Sequence, residues 1–115
     1  MLALVNAERQ SNGLPPLEMD DRLSSVARAH SIDMAQRGYF DHTDPDGQSP
    51  FDRIGAAGIA YFAAGENIAW GAATPESVVK GWMDSPGHRA NILNEKFTRI
   101  GIGYYDLYWT QVFIG

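Results

Sequence analysis

The run Asp84-Ser85-Pro86-Gly87-His88-Arg89-Ala90-Asn91-Ile92-Leu93 joins a helix breaker to a dense polar cluster. Ser85 is a good N-cap and Pro86 suits the first helical position, so a short helix is expected to start here. His88 then falls in its first turn, with Arg89 and Asn91 close by and Ile92 and Leu93 as the apolar anchor. Three such side chains at a helix start are costly to place unless their hydrogen bonds are satisfied or they meet a ligand. Two other stretches answer this one: Phe40-Asp41-His42-Thr43-Asp44-Pro45-Asp46-Gly47 and Gly65-Glu66-Asn67-Ile68-Ala69. The three are expected to converge on one cleft.

Immediately upstream, Thr74-Pro75-Glu76 reads as an N-cap, a first-position proline and an acid beside the positive end of the helix dipole. Val78, Val79, Trp82 and Met83 supply the core face of that helix, and Pro86 ends it. Downstream, residues 99–105 and 108–114 alternate as two antiparallel strands. Asp106-Leu107 between them leaves room only for a tight hairpin, yet offers no glycine, so the register is left open. Before the central stretch, residues 61–70 read as a strand with Glu66, Ile68 and Trp70 on one face and Asn67 and Ala69 on the other. Glu66 is unusual in a strand, which puts it on a solvated edge or in a polar cleft.

The first part of the chain reads as helical. Residues 2–12 form a helix with Leu2, Val5 and Arg9 on one face, stopped by Asn12-Gly13, and Pro15-Pro16 forces an extended connection. Asn6 and Arg9 are read as hydrogen-bonding braces. Asp20-Asp21 starts a longer helix ending near Gly38, with Leu23, Val26, Ala27, His30 and Met34 as its apolar stripe. His30 on that stripe is read as a buried, hydrogen-bonded core residue. Asp44-Pro45-Asp46-Gly47 is a turn, and Ser49-Pro50 caps a short helix through Ile54. The aspartates of the loop raise a calcium reading, but their spacing is not that of an EF-hand and no bidentate Glu sits at the right distance.

The 115 residues suit a single domain, 1–115. A formal charge of −5 argues against nucleic acid or an anionic membrane as the main partner. The absence of cysteine excludes a disulfide scaffold, thiol catalysis and a cysteine zinc site. No apolar run approaches the roughly 20 residues of a membrane span. The start turns polar too early for a signal peptide, so any export signal or further domain is expected upstream, in a longer chain. Helices around a late run of strands imply an α+β fold.

Several motifs in order resemble the signature segments of bacterial CAP domains, also called SCP (cysteine-rich secretory proteins, antigen 5 and pathogenesis-related 1). They are Gly65-Glu66-Asn67-Ile68-Ala69, Ser85-Pro86-Gly87-His88-Arg89-Ala90-Asn91-Ile92-Leu93 and Tyr108-Trp109-Thr110-Gln111-Val112-Phe113. The similarity runs from Leu4-Val5-Asn6 to Phe113. It implies a three-layer α-β-α sandwich, with a small antiparallel sheet between helices, in a secreted or cell-envelope protein. It also implies a cleft of His42, Glu66 and His88, supported by Asp84, Asn67, Arg89 and Asn91. Animal and plant relatives carry two histidines and two glutamates there. This chain departs from them: Ser85 stands three residues after Trp82 where the second glutamate is expected, with Asp84 the nearest acid, and Lys96 stands at the second histidine position.

The chemistry of the three cleft residues admits more than one function. Two imidazoles and a carboxylate are ligands for a divalent metal, zinc ahead of calcium, with an open position for water. Alternatively, Glu66 orients a histidine as general base. Spacings of 24 and 22 residues support neither, so the fold must bring the three together. A Gly-x-Ser-x-Gly elbow, a Walker loop and His-Glu-x-x-His are all absent. The leading expectation is a binding module for an extracellular ligand: a lipid, a peptide, a cell-wall component or a metal. A metal-dependent hydrolase or peptidase and a structural domain of a larger exported protein are the alternatives. Tyr39, Phe40, Phe51, Tyr61, Phe62 and Trp70 are read as core packing or, for a lipid ligand, the lining of a groove.

Overall fold

In chain order, the computed structural model describes residues 1–115 as α1 (Leu2–Ser11), β1 (Glu18–Met19), α2 (Asp21–Arg37), α3 (Pro50–Ala56), β2 (Ala64–Trp70), α4 (Pro75–Met83), α5 (Pro86–Ile92), β3 (Arg99–Tyr105) and β4 (Tyr108–Ile114). The four strands form one sheet in the order β1-β3-β4-β2. The long strands pair antiparallel, but β1 joins β3 in parallel through Glu18↔Arg99 and Met19↔Ile100. The sheet is therefore mixed, where an antiparallel one was expected. Two residues after a Pro-Pro connection carry no alternation from which a strand can be read.

The layers follow from strand periodicity. Trp109 and Phe113 of β4 enter a core with Val5 of α1, Val78, Val79 and Trp82 of α4, and Ile92 of α5. Val112 and Ile114 point the other way, to Leu23 and Ala27 of α2 and Ile54 of α3. Residues one apart in a strand face opposite sides, so one hairpin serves both helical layers. The α-β-α sandwich is the result.

Caps fix the helices that carry the site. The Asp20 carboxylate accepts the Arg22 backbone N–H and pairs with the Arg22 and Arg99 side chains. Those bonds, led by that to Arg22, hold its pKa well below the usual carboxylate range. Gly38 ends α2 at φ 72°, the left-handed conformation glycine adopts most easily. Ser49 and Asp52 form a reciprocal capping box at the start of α3. Gly101 and Gly103 let α2 lie directly on β3, because a Cβ at either would run into the helix backbone at Leu23 or at Ala27 and Arg28.

Two local features differ from simple expectation. The hairpin closes through Asp106 and Leu107 with φ of 49° and 67°, a two-residue turn with both residues left-handed and neither a glycine. The pairing Tyr105↔Tyr108 sets its register. β2 begins at Ala64 rather than residue 61, because the Phe62 and Ala63 N–H groups turn to the Gly115 carbonyl. Of the six aromatics read as core or groove, Phe40, Phe51, Phe62 and Trp70 are exposed.

Candidate functional site

β2 is an edge strand, and its outer edge is where the two helical layers meet. Glu66 faces α3 and the loop after α2, while Asn67, one residue on, faces α5. Over that edge lies an open pocket of about 340 Å³ lined by His42, Glu66, Asn67, Ser85, Gly87, His88 and Asn91. The structure thus brings His42, Glu66 and His88 to one cleft from three separate elements.

Glu66 is the centre. Its side chain is only 2 % exposed. Oε1 lies 2.8 Å from His42 Nδ1, and Oε2 accepts from Arg53 Nη2 at 2.9 Å. A carboxylate accepts, so His42 donates from Nδ1, and its Nε2 is left without a partner in the protein. His42 is half exposed at the mouth of the pocket. The hydrogen bond to Glu66 raises the His42 pKa above its ordinary value, against an opposing effect of burial.

His30 stands behind this pair. Its Nε2 lies 2.9 Å from the Asp41 carbonyl and 3.9 Å from Glu66 Oε1. A carbonyl only accepts, so Nε2 carries the proton. Burial pushes the His30 pKa down, opposed by the Glu66 charge. The residue is buried and hydrogen-bonded, yet it is also a neighbour of the central carboxylate.

The α5 side is built from amides. Asn91 Nδ2 donates to the Glu66 carbonyl at 3.1 Å and to Asn67 Oδ1 at 2.9 Å. Asn67 Nδ2 donates to the His88 carbonyl and to Gln111 Oε1. These bonds lock α5 against β2 and hold the His88 backbone in place. Ser85 occupies the N-cap position but makes no cap bond; its hydroxyl lies 2.8 Å from His88 Nδ1. Burial, with a smaller effect of His42, lowers the His88 pKa.

Asp84 and Arg89 lie elsewhere. Asp84 is exposed and ion-paired to Lys80 at 2.8 Å. Both line a separate surface depression beside α1 and α4. Arg53 and Ser85, which the sequence reading did not place in the cleft, are bonded into it. Arg53 had a usable signal: it sits three residues after buried Pro50 and next to buried Ile54, on the inward stripe of α3.

The residues present do not fit a three-ligand metal site. Both Glu66 oxygens are already taken, by His42 and Arg53. No group of three or more His, Cys, Asp or Glu side chains is placed to hold a metal ion. In the aspartate loop, Asp44 Oδ1 accepts the Asp46 and Gln48 N–H groups, Asp41 accepts that of Thr43, and Asp46 pairs with Arg37. Those carboxylates close a loop. What the cleft does offer is a half-exposed imidazole oriented by a buried carboxylate, facing a second imidazole paired with a hydroxyl.

Known proteins share this architecture. The chain is 56% identical over its full length to the uncharacterized protein YkwD of Bacillus subtilis, of which it spans 46%. An extracellular protein containing a SCP domain from Bacillus anthracis superposes with a TM-score of 0.95 at 40% identity, over 98% of this chain and 38% of that one. An outer surface protein of Borrelia burgdorferi superposes with a TM-score of 0.89 at 25% identity, over 98% of this chain and 87% of that one. The chain thus spans less than half the length of the two Bacillus proteins. No helix is long and apolar enough to cross a membrane. The model of the cysteine-rich secretory protein family matches residues 2–113, and the chain, despite lacking cysteine, belongs to that family, CAP.

Proposed function

We propose that the domain is an extracellular or cell-envelope binding module whose His42/Glu66/His88 cleft takes a polar ligand, a peptide or cell-wall component. The observation that carries this is the lining of the pocket: seven residues, none of them hydrophobic. Pockets for apolar ligands are lined mainly by hydrophobic and aromatic side chains, so a lipid tail gains little here. The names of the similar Bacillus anthracis and Borrelia proteins, extracellular and outer surface, support the location.

The test is a titration of isotope-labelled protein with soluble peptidoglycan fragments, and separately with phosphatidylglycerol vesicles, in the presence of a chelator. The fragments are expected to shift the resonances of His42, Gly87 and His88 saturably. His42→Ala and His88→Ala, still folded, are expected to lose the response. Vesicle binding without any shift in the cleft would overturn the reading, as would fragments that leave the cleft untouched.

The His42–Glu66 contact of 2.8 Å favours a second reading, hydrolysis. A carboxylate that holds Nδ1–H presents Nε2 as a general base toward the pocket. Mass spectrometry of the same fragments after incubation tests it, with cleavage abolished in His42→Ala as the expected result.

A further inference from the structure

We propose that Arg53 is a positioning residue of the cleft: one guanidinium joins the His42 loop to the Glu66 strand and thereby fixes the His42 ring. Arg53 Nη2 donates to Glu66 Oε2 at 2.9 Å and to the His42 carbonyl at 2.9 Å. Nη1 donates to the Gln48 carbonyl at 3.1 Å. The loop is therefore held at both ends by the same side chain that holds the carboxylate. The guanidinium is anchored in turn, since α3 is capped by Ser49 and buries Ile54.

The geometry explains a cost. Arg53 Nε is buried without a hydrogen-bond partner in the protein. Buried donors are nearly always paired, so the exception needs a reason. Nε stays unpaired while the fork lies across Glu66, His42 and Gln48. A lysine has one point of charge and no planar fork, so it does not reproduce that placement.

The consequence lies in the His42 ring. Glu66 Oε1 meets Nδ1 only while the loop carries His42 at the right height over β2. Released, the ring is expected to revert toward the Nε2–H form that free imidazole side chains favour, turning a protonated nitrogen to the pocket. The charged and titratable groups around the pair are His30 from α2, Asp41 beside His42, Arg53 from α3 and His88 from α5. Of these, Arg53 is the cation bonded to Glu66.

The experiment is histidine nitrogen NMR on ligand-free wild type, Arg53→Lys and Arg53→Met. Wild type is expected to show neutral His42 as the Nδ1–H tautomer. Both variants are expected to shift toward Nε2–H. The His42 midpoint is also expected to fall in both variants, because the Glu66 hydrogen bond that raises it is lost, and to fall less in Arg53→Met, where a neighbouring cation is removed as well. If both variants fold and keep the wild-type tautomer and midpoint, losing only thermal stability, Arg53 is a loop brace and the proposal fails. If Arg53→Met does not fold, the tautomer in Arg53→Lys decides. The consequence for binding rests on the proposed function: fragment affinity is expected to fall by about tenfold in Arg53→Lys, as for other orienting partners. Fragments that bind neither protein would sink that reading and leave the tautomer result standing.

Discussion

Arg9 and Arg53 are both drawn into the interior, and they end differently. Arg9 is 1 % exposed and meets only backbone: Nε donates to the Pro15 carbonyl, Nη1 to those of Ile92 and Asn94, and Nη2 to that of Phe97. Each of its three nitrogens is bonded, and the side chain is closed off from solvent. Arg53 meets two carbonyls and a carboxylate, keeps one nitrogen unpaired, and stands behind a half-exposed histidine. Arg9 closes a seam between α1 and the segment after α5. Arg53 holds a seam that is open on one side. A saturated polar cluster is a structural device; one that leaves an imidazole nitrogen facing a polar pocket is built to meet something else.

Substitution can break that contrast. Arg9→Met removes the side-chain donors to four carbonyls, of which that of Asn94 keeps the Phe97 N–H, and is expected to cost about 3–5 kcal/mol, or the fold itself, in urea denaturation. A loss under about 1 kcal/mol would show that the α1 seam is not closed by Arg9. Asn91→Ala removes donors to the Glu66 carbonyl and to Asn67, and is expected to cost about 1–3 kcal/mol by the same measurement. That loss should come with loosened packing of α5 on β2, read by hydrogen exchange. His42→Gln should cost least, under about 1 kcal/mol, because the imidazole is half exposed.

The His42 effect has a definite pH dependence. Glu66 raises the folded pKa of His42 above its ordinary value of 6.5. The stabilisation is therefore fully present below that ordinary value and is lost as pH rises through the higher folded one. Stability curves of wild type and His42→Gln should differ more near about pH 5.5 than near about pH 8.5. The reverse order would mean that Glu66 does not pair with His42 in solution.

Much of this was legible before the structure. Caps at Asp20, Ser49 and Thr74 carry local chemistry that survives in the fold, since each side-chain oxygen accepts a backbone N–H as read. Alternation over residues 99–114 placed the hairpin because a side-chain period of two is a property of the strand itself. What stayed hidden depends on long-range contacts. The parallel partner of β3 is two residues long, and Leu17 just before it is pinned through its N–H and carbonyl by Asn6 of α1. Arg53 and Glu66 are 13 residues apart, with no spacing that joins them. Asp84 lies one residue before Ser85, yet the turn between α4 and α5 sends it to solvent. Proximity in sequence misleads wherever a helix boundary intervenes.

The outer edge of β2 has a consequence for how the protein keeps to itself. Its Glu66 and Ile68 carbonyls are capped by Asn91 and by the Trp82 indole N–H at 3.1 Å. On the opposite side of the sheet, pairing beyond β3 is limited to the two residues of β1. A bare strand edge invites another chain to extend the ladder, and from there the cross-β stacking of fibrils. Here the edge that borders the pocket is also partly covered against strand addition. Variants that loosen α5 are therefore expected to show turbidity in concentrated solution alongside their loss of stability.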